Sequence, residues 1–196
     1  SGFYKILFYL PAICTSTIVG TVFSKIFETN RGYLNVILRA LHLDFLCQQW
    51  LATPKTALAC LLFVNIWQWT GYSMLMYYTN MLNIPQDLYE SATIDGAGSF
   101  KQFVYITFPL LRGTHITLII LDILGALKFF DLSYVLTDGG PAHATETFST
   151  YIYTKSFSTF QQGQASTIVV FMFLIAMVLT VIQLKIYYKK DRKEMN

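Results

Sequence analysis

The sequence predicts an all-α fold, a polytopic bundle of transmembrane helices, and three observations carry that prediction. Of 196 residues, 54% are hydrophobic and only 13% are charged, which is too apolar for an ordinary soluble domain. Runs of the roughly 20 mostly apolar residues that a bilayer crossing needs occur at about 6–27, 57–78, 110–130 and 167–188. The segments between them are polar and punctuated by glycine and proline, with no internal repeat and no low-complexity linker. Residues 1–196 therefore read as a single membrane domain with four spans.

The first run, 6–27, contains Pro11, which a membrane helix tolerates when neighbours satisfy the carbonyl it frees. In the following 24–55 stretch, Asn30-Arg31-Gly32 marks a turn, and Tyr33, Leu34, Val36, Ile37, Leu38, Ala40 and Leu41 predict a short amphipathic helix on the membrane surface. After the second run comes a polar loop, 85–107. Pro85 suits the first turn of a helix and Gly96 suits its end, so 86–95 is expected to be a short helix with Asp87 and Glu90 near its positive end. The aromatic and apolar 100–108 stretch can anchor that helix to the membrane domain, and Pro109 marks the entry to the third run. Beyond the third run, Thr137-Asp138-Gly139-Gly140-Pro141 is a strong turn signal, with a helix expected within 145–160. The fourth run is the cleanest, being uncharged over 168–184.

Orientation follows from flanking positive charge. Lys185, Lys189, Lys190, Arg192 and Lys193 place the C-terminus in the cytoplasm, and 131–163, whose basic side chain is Lys155, outside. Counting back puts 85–107 inside and 24–55 outside. The latter carries Lys25, Arg31, Arg39 and Lys55 against the rule, but the tail is the denser signal and decides. Cys14, Cys47 and Cys60 are odd in number and widely spaced, which suggests neither a disulfide framework nor a metal site. A net charge of +3 concentrated in a membrane flank argues against nucleic-acid binding. A phosphate-binding Gly-x4-Gly-Lys-Ser/Thr loop is missing, as is any Ser-His-Asp set, so the chain is expected neither to hydrolyse ATP nor to act as an enzyme.

Two features of the apolar runs are candidates for a substrate pathway. Asn65, Gln68, Trp69, Tyr72 and Met76 share one helical stripe, and amides with aromatic faces suit polyhydroxyl ligands, although the same residue types also glue membrane helices together. Asp122 sits near the middle of the third run, where an ionisable group faces a cavity or a partner; a structural hydrogen bond to a neighbouring subunit is the alternative. Lys128 and Asp131 are three residues apart and can pair along a helix, and His115 reads as interfacial.

The phrase Tyr89-Glu90-Ser91-Ala92-Thr93-Ile94-Asp95-Gly96-Ala97-Gly98, followed by Ile106-Thr107-Phe108-Pro109, resembles the loop signature of importer permeases of the ATP-binding-cassette superfamily. Glu90, Ala92, Gly96, Ile106 and Pro109 fall in place, while Ser91 and Phe108 stand where Ala and Leu are common. Phe8-Tyr9-Leu10-Pro11, Asn65-Ile66-Trp67-Gln68 and the 130–141 stretch are similar to the carbohydrate-uptake permeases related to the maltose, multiple-sugar and glycerol-3-phosphate importers. The resemblance implies that Glu90, Ser91, Ala92, Asp95, Gly96 and Ala97 couple the chain to a separate ATPase. It further implies a second permease subunit in a heterodimer, two ATP-binding-cassette ATPase subunits that bind ATP and Mg, and an extracellular or periplasmic solute-binding protein. The setting would be the bacterial cytoplasmic membrane and the substrate an oligosaccharide or related polyol. Such permeases usually have six spans, so this chain, which opens on Ser-Gly, is expected to begin at the third. The rival reading is a secondary transporter driven by an ion gradient, with Asp122 as its coupling carboxylate.

Overall fold

The structure, a computed structural model, describes residues 2–194, with side chains described for 3–185. All regular structure among the described residues is helical. The side chains of Lys189, Lys190, Arg192 and Lys193, on which the expected orientation rests, lie outside the described residues.

The stretch 6–27 is not one continuous helix: α1 (Gly2–Ile13) and α2 (Ser16–Ile26) meet at 93°. Pro11 lies inside α1 in its last turn, where it donates no amide hydrogen, and the Cys14 amide turns back to the Pro11 carbonyl at 3.2 Å. Thr15 then starts α2 with extended backbone, its Oγ1 accepting from the Ile18 amide at 3.4 Å. The carbonyl of Cys14, left over at the break, accepts from Gln68 Nε2 at 3.1 Å.

α3 (Tyr33–Ala40) occupies the link that follows, where the sequence predicts a short amphipathic helix. Its buried residue is a polar one. Asn35, 2% exposed, donates through Nδ2 to the carbonyls of Thr29 at 2.9 Å and Gln48 at 3.0 Å, and its Oδ1 accepts from Trp50 Nε1 at 2.8 Å. Tyr33, Val36 and Ile37 face outward. The link is thus held from within by one amide.

α4 (Pro54–Met81) has 28 residues, begins on a proline and contains all of 57–78; at 1.5 Å per residue it is about 42 Å long. Ala57, Cys60, Val64, Gln68 and Gly71 form its buried stripe. Val19, Phe27, Cys60, Leu61, Val64, Leu132 and Leu136 make one core where α2, α4 and the later helix Asp131–Thr137 meet. At Gly71 the two backbones touch, since a Cβ there would collide with the Phe8 carbonyl and the Tyr9 Cα of α1. Lys5 stands 3.3 Å over the Tyr78 ring at the far end of the same pair.

α5 (Gln86–Ile94) and α6 (Ser99–Gln102) lead into a π-helical turn, Phe103–Thr107, and then α7 (Phe108–Leu110) and α8 (Arg112–Leu127). The axis bends by 61° at Leu111, just after Pro109, whose missing amide hydrogen weakens the ladder there. The third predicted run, 110–130, therefore begins at a bend and ends its helix at Leu127. α9 (Asp131–Thr137) stops at Asp138 in the left-handed region, within the predicted turn. α10 (Phe148–Tyr153) continues through a second π-turn, Thr154–Ser158, into α11 (Gln162–Glu194). The link between α9 and α10 is cross-braced by hydroxyls: Ser133 Oγ donates to the Thr145 carbonyl at 2.6 Å, Thr145 Oγ1 to the Gly140 carbonyl at 2.7 Å, and Thr147 Oγ1 to the Phe129 carbonyl at 2.6 Å.

Among the described residues, α11 is the single unbroken helix that is both long and apolar enough to cross a membrane, over Gln162–Lys185. The α1–α2 pair and the Ser99–Leu127 pair qualify only if each bent pair counts as one crossing. α4 is long enough but carries too many polar groups to pass on composition.

Candidate functional site

The motif loop forms a compact knob. Pro85, with φ −58°, directs the chain into α5, and Asp87 lies in the first turn. At the other end the Ala97 amide bonds the Ala92 carbonyl at 2.8 Å and the Gly96 amide bonds the Thr93 carbonyl at 3.0 Å, while Gly96 takes φ +73°. This is a Schellman cap, for which glycine is favoured at the left-handed position. Gln102 secures the cap from behind, its Nε2 lying 2.9 Å from Thr93 Oγ1 and 3.1 Å from the Ala97 carbonyl. Tyr89 ties α5 to the π-turn through a 2.8 Å hydroxyl contact with Thr107, which is 4% exposed.

Of the motif residues, Glu90, Ser91, Asp95 and Gly96 lie on the exposed surface, whereas Ala92 and Ala97 are half-buried within the cap. No residue of α5 is buried. Ile94, which the sequence reading passed over, stands 87% exposed beside Glu90 and Asp95. An isoleucine in the last turn of a polar helix, directly before the Asp95-Gly96 cap, is the signal that would have found it.

A cavity of about 920 Å³ opens between α4, α8 and the start of α9. Asn65, Trp69, Tyr72 and Asp122 all line it, with Trp69 and Tyr72 in an edge-to-face pair at 6.2 Å. Gln68 does not: it is 1% exposed, bound to the Cys14 carbonyl at the α1–α2 break, and its Oε1 has no hydrogen-bond partner. At 3.6 residues per turn Gln68 sits about 60° around α4 from Asn65, far enough to join the buried stripe. Lys128 and Asp131 also line the cavity, but α8 ends at Leu127 and α9 begins at Asp131, so they do not share a helix. Tyr77, Phe129 and Phe130 complete its aromatic wall. Nearby, Phe130, Tyr134 and Tyr153 cluster with ring centres 5.0 to 5.3 Å apart, and the hydrogen bond to Tyr153 pushes the Tyr134 phenol above its usual range.

The model of a family described as "Binding-protein-dependent transport system inner membrane component" matches residues 1–192. The chain belongs to that family. Among relatives of this inner membrane component, the "Probable ABC transporter permease protein YurN" of Bacillus subtilis is 34% identical over 99% of this chain and 66% of its own length. The "Sulfoquinovosyl glycerol transport system permease protein SmoG" of Agrobacterium fabrum is 32% identical over 93% of this chain and 58% of its own. A crystal structure of a bacterial ABC transporter that imports the acidic polysaccharide alginate shares the fold with a TM-score of 0.87, at 23% identity, over 96% of this chain and 65% of that one. The chain thus spans no more than two thirds of the length of these relatives.

Within the inner membrane component the cavity is lined by α4 and α8, and the segment that carries the knob connects these two helices. His115, read from sequence as interfacial, bridges α4 and the bend: its Nδ1 is 2.8 Å from the Tyr77 hydroxyl and its Nε2 3.1 Å from the Phe108 carbonyl.

Proposed function

We propose that this chain is a permease subunit of a bacterial ATP-driven importer and that it forms part of the path for a carbohydrate. The observation that carries the proposal is the knob. A short helix fixed at both ends, with Glu90, Asp95 and Ile94 exposed on it, offers charge and apolar surface on a rigid shape, as mechanical docking to a separate ATPase requires. Glu90, Ser91, Ala92, Asp95, Gly96 and Ala97 form that docking element, and ATP and Mg bind to the ATPase subunits. Closure of the ATPase pair moves the knob, and the helical bundle rocks between two states open to opposite sides.

Membership in a binding-protein-dependent family supports an external solute receptor as a further partner, and a second permease subunit would complete the open side of the cavity. The names of the relatives, one for a sulfoquinovosyl glycerol system and one for alginate, support a carbohydrate substrate. Aromatic rings at Trp69, Tyr72 and Tyr77 beside the polar Asn65 and Asp122 suit sugar faces and hydroxyls. The chain is multi-pass in the cytoplasmic membrane, with its C-terminus and the knob inside. The ion-driven alternative gains nothing from the geometry, because Asp122 is exposed on an open wall shared with Lys128 and Asp131.

The test is purification of the full-length protein in mild detergent, followed by identification of the subunits that come with it. An ATPase whose turnover rises with a sugar-loaded receptor is the expected result. A stable particle with no ATPase overturns the proposal and favours the ion-driven carrier.

A further inference from the structure

Three hydrogen-bonded contacts run from the knob to the cavity, and they bridge both places where the intervening helix departs from α geometry. The first is Tyr89 on α5 with Thr107, at 2.8 Å; Thr107 closes the π-turn and is almost fully buried. The residue after Thr107 is Phe108, whose carbonyl faces His115 Nε2 at 3.1 Å, with the two rings 4.6 Å apart. His115 lies beyond the 61° bend at Leu111, so this contact spans the bend. The third contact joins His115 Nδ1 to the Tyr77 hydroxyl at 2.8 Å, and Tyr77 lines the cavity. A carbonyl only accepts, so Nε2 carries the hydrogen and, in the neutral ring, Nδ1 accepts from Tyr77.

A regular helix is stiff, whereas a π-turn and a proline-weakened bend are the points at which a displaced helix flexes. Left unbraced, those points would absorb a movement of α5 before it reached α8 or α4. Tyr89 grips the far end of the π-turn at Thr107, and His115 clamps the bend while holding the cavity wall. We propose that Tyr89, Thr107 and His115 are positioning residues that transmit movement of the α5 knob to Tyr77 on the cavity wall. This inference rests on the importer reading above. By thermodynamic reciprocity, the same line makes the state of the cavity felt at the knob, which gives a solute-loaded receptor a route to the ATPase.

The experiment uses the complete transporter in nanodiscs, with receptor-stimulated ATPase activity and sugar uptake measured together. His115→Phe keeps a ring between Phe108 and Tyr77 but removes both hydrogen bonds; Tyr89→Phe removes one oxygen atom. Each variant should keep basal ATPase activity while receptor stimulation falls about threefold in Tyr89→Phe, the size expected for one hydrogen bond of average strength between membrane helices, and by up to about eightfold in His115→Phe, which loses two. Uptake per ATP should fall as well. His115→Gln, which can donate to the carbonyl and accept from Tyr77, should restore part of the loss. Because the contacts act in series, the double variant should be no worse than the more affected single. Unchanged stimulation and stoichiometry in both single variants, or losses that multiply in the double, overturn the inference. An unmodified complex that shows no receptor stimulation overturns the importer reading instead.

Discussion

Replacing Asn35 tests how the link between α2 and α4 is held. The side chain makes three hydrogen bonds, to the Thr29 and Gln48 carbonyls and from Trp50 Nε1, at 2.8 to 3.0 Å, and is 2% exposed. At a net value of about 1 kcal/mol each, Asn35→Ala should cost about 3 kcal/mol, because the partners are left wholly or partly without a match. For a chain of this size that corresponds to a fall of about 6–12 °C in midpoint. Asn35→Asp is the sharper control. It keeps the acceptor for Trp50 but sets an oxygen against two carbonyl oxygens, so it should lose at least as much. The assay is thermal unfolding in detergent, followed by the fluorescence of Trp50 in a variant whose other tryptophans are phenylalanine. A fall below about 2 °C in Asn35→Ala, or an Asp variant as stable as the parent, would refute the argument that buried hydrogen bonding sets the link.

At Gly71, an added methyl meets the α1 backbone, so Gly71→Ala should cost more than about 2 kcal/mol, while Gly113→Ala, with open space around it, should not; detergent melting of both variants decides. Gln68→Leu should lower stability by removing the cap on the Cys14 carbonyl yet leave the apparent affinity for sugar within about twofold, since one lost hydrogen bond acts on folding here; a tenfold affinity loss in equilibrium binding would return Gln68 to the pathway. Glu90→Lys should abolish ATP-coupled uptake while leaving sugar binding intact, whereas Asp122→Asn should alter binding without uncoupling. Uptake and ATPase assays showing the reverse pattern would favour the ion-driven carrier.

The knob was legible because its determinants are local. A proline that sets φ, an acidic first turn and a glycine at the left-handed end are sequence neighbours, and their spacing names the element. The core stripe of α4 was legible only in part. Periodicity placed Asn65, Trp69 and Tyr72 on one arc, but it could not tell which neighbour the edge residue Gln68 would serve. That choice depends on a carbonyl 54 positions earlier. The 93° break between α1 and α2 was hidden for the same reason: Pro11 permits a bend, while the long-range bond from Gln68 and the backbone contact at Gly71 help to hold it. α3 was found by its apolar pattern, yet the residue that secures it is the polar one the pattern skips.

The cap on α5 has a consequence for how such a knob can change. Its outline is held by amide-to-carbonyl bonds and by Gln102 from the inner side, so the outward side chains at 90, 91, 94 and 95 carry little of the shape. Substitutions there can alter charge and greasiness while the contour stays put. If the knob docks on a separate ATPase as proposed, allegiance to one motor protein or another can then drift by surface edits alone, with no refolding of the socket-filling piece.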